Sequence, residues 1–125
     1  MDSNKIAAGY EAVGGTSYQY VQAWSYPMFG GVVPIHTAGD VPMWFYNVSM
    51  IRPFVSGYED VAWKISGEMA GALVSLAHNG TPGWDKWNSE TDAVMVFDEV
   101  SQVRYHHEDA LIELLQSAGG GGFPF

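Results

Sequence analysis

Between Ser17 and Tyr26, in "SYQYVQAWSY", the chain places Tyr18, Tyr20, Trp24 and Tyr26 in one phase and Gln19, Val21, Ala23 and Ser25 in the other. A period of two predicts a β-strand, opened by Gly14-Gly15 and closed by Pro27. The period changes in "SGYEDVAWKISGEMAGALVSLAHNG", where Val61, Ala62, Ile65, Met69, Ala72, Leu73, Leu76 and Ala77 follow a helical repeat. That repeat predicts a long amphipathic helix, with Ser56 and Glu59 spaced as a capping box and Gly80 as its stop. Between these two elements, "DVPMWFYNVSMI" reads as a short helix with Asp40 at its N-cap and Pro42 in the first turn, where a missing N–H costs nothing. Farther on, "TPGWDKWN" is a loop of turn formers. The apolar run from Ala93 to Phe97 then predicts a buried strand, and the Asp98-Glu99 break a hairpin to a second short segment. "HEDALIELLQSAG" closes the pattern as an amphipathic helix, with Glu108 and Asp109 in its first turn and a stripe of Leu111, Ile112, Leu114 and Leu115.

These elements make an α/β chain with few strands, one long helix and short helices. Two or three strands are a poor sheet by themselves, so the fold is expected to be completed by another chain or by self-association. Aromatic residues are 14% of the 125 and apolar residues 47%, which leaves much ring surface to be covered. "GGGG" at Gly119 to Gly122, closed by "FPF", marks residues 119–125 as a flexible tail on a segment spanning 1–118. The charge of -9, from 14 acids against 5 Lys and Arg, repels phosphate backbones and anionic surfaces, so neither nucleic acid nor membrane is an expected partner. Residues 1–15 lack the basic and apolar regions of a signal peptide, and no apolar run approaches a membrane span, so a cytoplasmic protein is expected. With no cysteine there is no disulfide, no thiolate metal site and no cysteine nucleophile. The Asn-x-Ser/Thr triplets at Asn47 and Asn79 arise often by chance, and Asn79 reads better as a helix end.

The candidate chemistry narrows by elimination. His106 and His107 are adjacent and point to different sides of their element, while His36 and His78 are isolated, so no His-x-x-x-His pairing exists and no metal site is expected. No glycine cluster is followed by the lysine or helix of a phosphate-binding loop, and no cofactor is expected. No Gly-x-Ser-x-Gly element surrounds any serine, which argues against a self-contained serine hydrolase. What remains is His36, in a loop that follows a strand, with Asp40 four residues on. A general-base histidine of an α/β-hydrolase is carried in such a loop, at the carboxyl end of a late strand. Taken alone, His36 reads more readily as a partly exposed loop histidine bonded to backbone. Trp24, Trp44 and Phe45 are candidates to line a substrate pocket, although aromatic residues at such spacing are more often core.

Two long blocks carry a resemblance. "YQYVQAWSYPMFGGVVPIHTAGDVPMWFYN" resembles the type-B carboxylesterase pattern of a tyrosine-rich strand, a glycine-containing loop, the catalytic histidine, and a short spacer into an acid, an aliphatic residue, proline and aromatics. "EMAGALVSLAHNGTPGWDKWNSETDAVMVFD" resembles the same family's long helix running into Ala-x-x-Gly-x-Pro, a tryptophan and a strand of the Met-x-Phe-Asp kind. The blocks come in the family's order and cover roughly residues 14–104. The resemblance implies the C-terminal part of a para-nitrobenzyl-esterase-like α/β-hydrolase, with residues 1–118 as a C-terminal segment of its domain and a carboxylic ester as substrate. It assigns His36 as the general base that takes the serine proton during attack and returns it to the leaving alkoxide. Asp40 is then a residue that caps the following helix and fixes the loop, rather than the triad acid. The family mostly sets that acid three residues after the histidine; here the interval is four, with Gly39 as the extra residue. Nucleophile elbow, oxyanion-hole glycines and triad acid belong to the part of the family not matched here. The implied partner is therefore the N-terminal part of the same hydrolase, or a separate subunit carrying the nucleophile, and the chain alone is expected to be inactive.

Two other readings stand beside this one. The aromatic, acidic surface also suits a non-catalytic binding module, and an open apolar sheet edge suits a fragment that pairs with its own copy as a homo-oligomer.

Overall fold

The computed structural model describes residues 3–31, 39–107 and 109–117. His36 and the expected tail over 119–125 lie outside the described residues. The elements run α1 (Ser3–Ala12), β1 (Gln19–Gln22), a 3₁₀ turn (Met28–Gly31), α2 (Val41–Trp44), a second 3₁₀ turn (Val48–Phe54), α3 (Glu59–Asn79), β2 (Ala93–Phe97), β3 (Gln102–Tyr105) and α4 (Asp109–Ser117). The strands form one sheet in the order β1-β2-β3. None of the described helices is long and apolar enough to cross a membrane.

The chain divides into two compact units. The larger, Tyr20–Trp84 with Met95–Gln102, is built on α3. The helix buries Ala62, Ile65, Ser66, Met69 and Ala72, one narrow face at the predicted period. Ser66 sits on that face because its hydroxyl donates 2.7 Å to the Met43 carbonyl, tying α3 to α2 at a point water does not reach. Met43, Val48, Val55, Ile65, Met69 and Phe97 fill the centre. The Phe97 ring meets Trp44 and Trp84 edge-on, each at 5.8 Å. Toward its C-terminus the helix leaves the core: Leu73 and Leu76, expected on the buried stripe, are 40% and 39% exposed.

In the smaller unit, Met1–Gln19 with Asp85–Val94 and Val103–Phe125, the buried residues are Ala7, Trp87, Asp92, Ala93 and Val94. Its loop is fastened by an Asn88 carboxamide that accepts from the backbone of Glu90 and Thr91, and by the Trp87 backbone N–H, which donates 2.8 Å to the Ser17 carbonyl.

Several expectations need correction. α1 was not foreseen, because it buries only Ala7 and so shows no apolar period. The first strand is shorter than its alternation, ending at Gln22, where the N–H groups of Ala23 and Trp24 both donate to the single Phe97 carbonyl. Two residues opposing one is a bulge, which ends the pleat and turns Trp24 into the core. The Ser56–Glu59 capping box does not form. Gly57 takes a left-handed φ of 83°, the N-cap is Tyr58, two residues beyond Ser56, and Glu59 therefore occupies the first helical position rather than the third. The C-terminal stop is as expected: Gly80 is left-handed at φ 75° and its N–H donates 3.0 Å to the Leu76 carbonyl.

Candidate functional site

The segment that leads out of the His36 loop, Gly39 and Asp40, is held by side chains from the β1 region of the same unit. Tyr20 lies on β1, and Tyr26 lies beyond the bulge, outside the strand. Tyr26 donates its hydroxyl 2.5 Å to the Gly39 carbonyl, and Tyr20 donates 2.8 Å to the Asp40 carboxylate. A third donor is the Trp44 indole N–H, which reaches the same Asp40 oxygen at 3.2 Å. The rings of Tyr20 and Trp44 stand edge to face at 4.8 Å, so the two donors are packed against each other as well as against the acid.

Asp40 occupies the N-cap position of α2, but its side chain does not cap the helix. It makes no side-chain bond to the amides of α2. Its own backbone is helical, at φ -87° and ψ -9°, and a cap residue needs an extended conformation to fold its oxygen back over N2 or N3. The carboxylate turns to the phenol and the indole instead. This neighbourhood keeps both phenols protonated. Partial burial, then the Asp40 hydrogen bond, raises Tyr20, and burial followed by the Asp40 charge pushes Tyr26 up to about 12.

The candidate pocket aromatics differ in exposure and in ring partners. Trp24 is buried, 6% exposed, with its ring edge-on to Tyr26 at 5.9 Å. Trp44 stands against Tyr20 and Phe97. Phe45, 72% exposed, projects to solvent. A recess of about 330 Å³ in the same unit is lined by other residues, with Ala72, Pro82, Trp84, Met95 and Phe97 as its apolar wall and Glu68 and Ser101 as a hydrogen-bonded polar edge. Tyr20 and Tyr26 are the site residues that motif reading passed over. Their signal was the placement of phenols, rather than aliphatics, on the strand just before the loop.

No protein-family profile matches the sequence. Solved structures do. An esterase from the anaerobe Clostridium hathewayi, able to hydrolyse aliphatic aromatic polyesters, is similar at a TM-score of 0.83 and 25% identity, over 93% of this chain and 24% of its own. A carboxylesterase of Geobacillus stearothermophilus is similar at a TM-score of 0.72 and 24% identity, over 88% of this chain and 24% of its own. PNB esterase follows at 0.63 and 17%, over 81% of this chain and 21% of its own. The carboxylesterase resemblance of the sequence is therefore present in three dimensions, and the fold is that of a part of an α/β-hydrolase. The chain spans about a quarter of the length of these structures.

Proposed function

We infer that this chain is the histidine-bearing C-terminal portion of a serine carboxylic-ester hydrolase. The observation that carries the inference is the double tyrosine anchor on Gly39 and Asp40, which fixes the exit of the His36 loop, in a chain whose fold matches esterases over most of its length. A general base has to be aimed within hydrogen-bond reach of its proton, and a loop tied at its exit to the preceding strand serves that need. In this reading the neutral imidazole of His36 takes the proton of a serine on another polypeptide as it attacks the ester carbonyl, then gives it to the leaving alkoxide. Asp40 is a positioning residue, acting through the loop. Trp24, Trp44 and Phe45 are the candidates for the acyl or alcohol pocket, which in this reading is completed by the other polypeptide, since Phe45 stands exposed on this chain.

The test is ester turnover. The chain alone leaves p-nitrophenyl acetate at the background rate. Mixed with a complementary portion that carries the nucleophile elbow and oxyanion hole, it restores turnover, and His36→Ala lowers that restored rate by roughly 10⁴-fold or more, as loss of a triad member does elsewhere. Restored turnover that is indifferent to His36→Ala would sink the assignment. Tight binding to the complement with no turnover would favour the non-catalytic binding module instead.

A further inference from the structure

Away from the tyrosine anchor, in the smaller unit, three groups from two segments meet: Asp92 before β2, and His106 and Asp109 in the short stretch that joins β3 to α4. One potential ligand atom from each lies within 4.8 Å of the other two. The His106 Nδ1 is 2.9 Å from the Asp109 Oδ2. We propose that Asp92, His106 and Asp109 form a binding site for a divalent first-row transition-metal cation.

The dimensions suit an ion. Metal–ligand bonds of about 2.1 Å place neighbouring donors of an octahedral site roughly 3.0 Å apart and opposite ones roughly 4.2 Å apart. The His106–Asp109 pair, at 2.9 Å, already matches neighbouring ligands, and a pair 4.8 Å apart closes by about 0.6 Å to match opposite ones.

A second observation is independent of that spacing. Asp92 is 8% exposed, and its described hydrogen bond comes from a neutral donor, the Trp87 indole N–H. Among the described residues no lysine or arginine is ion-paired with it. A carboxylate largely withdrawn from water, with no lysine or arginine paired to it among the described residues, gains from a cation placed between it and Asp109. Trp87 meanwhile does what outer-shell partners of metal ligands do, holding the carboxylate in one orientation.

The donor set selects the class of ion. Calcium and magnesium take oxygen ligands, whereas one imidazole with two carboxylates suits zinc, manganese or their neighbours. Three protein ligands leave further coordination positions for water. Bound there, the ion ties the segment before β2 to the turn between β3 and α4. The sequence concealed the arrangement because only His106 and Asp109 are close in the chain, three residues apart, while Asp92 comes from a segment 14 residues upstream.

The full chain, stripped with chelator and dialysed, is titrated calorimetrically with zinc chloride, with calcium and magnesium chloride as comparisons. The expected result is one zinc per chain, with calcium and magnesium at millimolar concentration failing to displace it. His106→Gln and Asp109→Asn each weaken zinc binding at least tenfold, and His78→Gln, on α3, leaves it unchanged. Both ligand substitutions fall on half-exposed side chains, so circular dichroism is expected to show an intact fold and to keep the comparison valid even where Asp92→Asn does not fold. Absence of saturable zinc binding, or binding of the same stoichiometry and affinity in the His106→Gln/Asp109→Asn double variant, overturns the proposal.

Discussion

Asp40 shows how the bonds of a candidate residue can be misread from spacing: it was expected to cap α2 and instead accepts from Tyr20 and Trp44. Its place beside the loop was legible from Pro42 and the aromatic run after it. Its partners were not, because Tyr20 lies 20 residues upstream and linear spacing does not encode that approach. Tyr26 makes the arrangement measurable. Its folded pKa is raised to about 12, above the ordinary 10.0, because burial and the Asp40 charge disfavour the phenolate. The unfolded chain ionises first, so this contribution to stability is complete below about pH 10 and is lost as pH rises through 10 toward 12. Urea denaturation at pH 8 and again near pH 11 is expected to show a fall in the midpoint for the native chain and a smaller fall for Tyr26→Phe. That variant also loses about 1 kcal/mol at neutral pH, the usual worth of one hydrogen bond.

At the scale of elements, α3 was the most legible, since Ile65, Met69 and Ala72 recur at its period and Gly80 stops it. What the pattern overstated was the width of the buried face, because apolar residues at helical spacing do not say how far the packing continues. Leu73 and Leu76 obey the period and still meet solvent. The polar member of the buried face went unnoticed for the opposite reason: Ser66 looks like a surface residue until the Met43 carbonyl is placed opposite it. Ser66→Ala leaves that carbonyl buried without a donor and is expected to cost about 1–3 kcal/mol, measurable as a lowered midpoint with an unchanged denaturant slope. Ser75→Ala is the comparison, since its hydroxyl bonds the Thr81 carbonyl at an exposed position and its loss is expected to cost under about 1 kcal/mol.

For the molecule as a whole, the sequence announced the order of elements from the first strand to the last helix, and the expectation of a sheet too small to stand alone agrees with three short strands. It did not announce which strand lies in the middle, because the continuous apolar run of β2 reports burial and not neighbours. Nor did it show which aromatics stay wet. Phe45 and Met50 are 72% and 69% exposed in the larger unit. The Phe45→Ser/Met50→Ser variant is expected to keep its unfolding midpoint, each change being worth no more than about 0.5 kcal/mol at the surface, and to bind less of a hydrophobic fluorescent dye. An unchanged dye signal would place the accessible apolar surface elsewhere.

The strand order also bears on how the chain is made. β1 pairs with β2, yet everything from Ala23 to Asp92 is translated between them. On the ribosome, the tyrosine-rich strand emerges before α3 and β2, so its pairing with β2 waits until a long loop has closed. During that interval the nascent chain exposes the very edge at which it is most open to pairing with a neighbour, and slowing translation through α3 lengthens the wait.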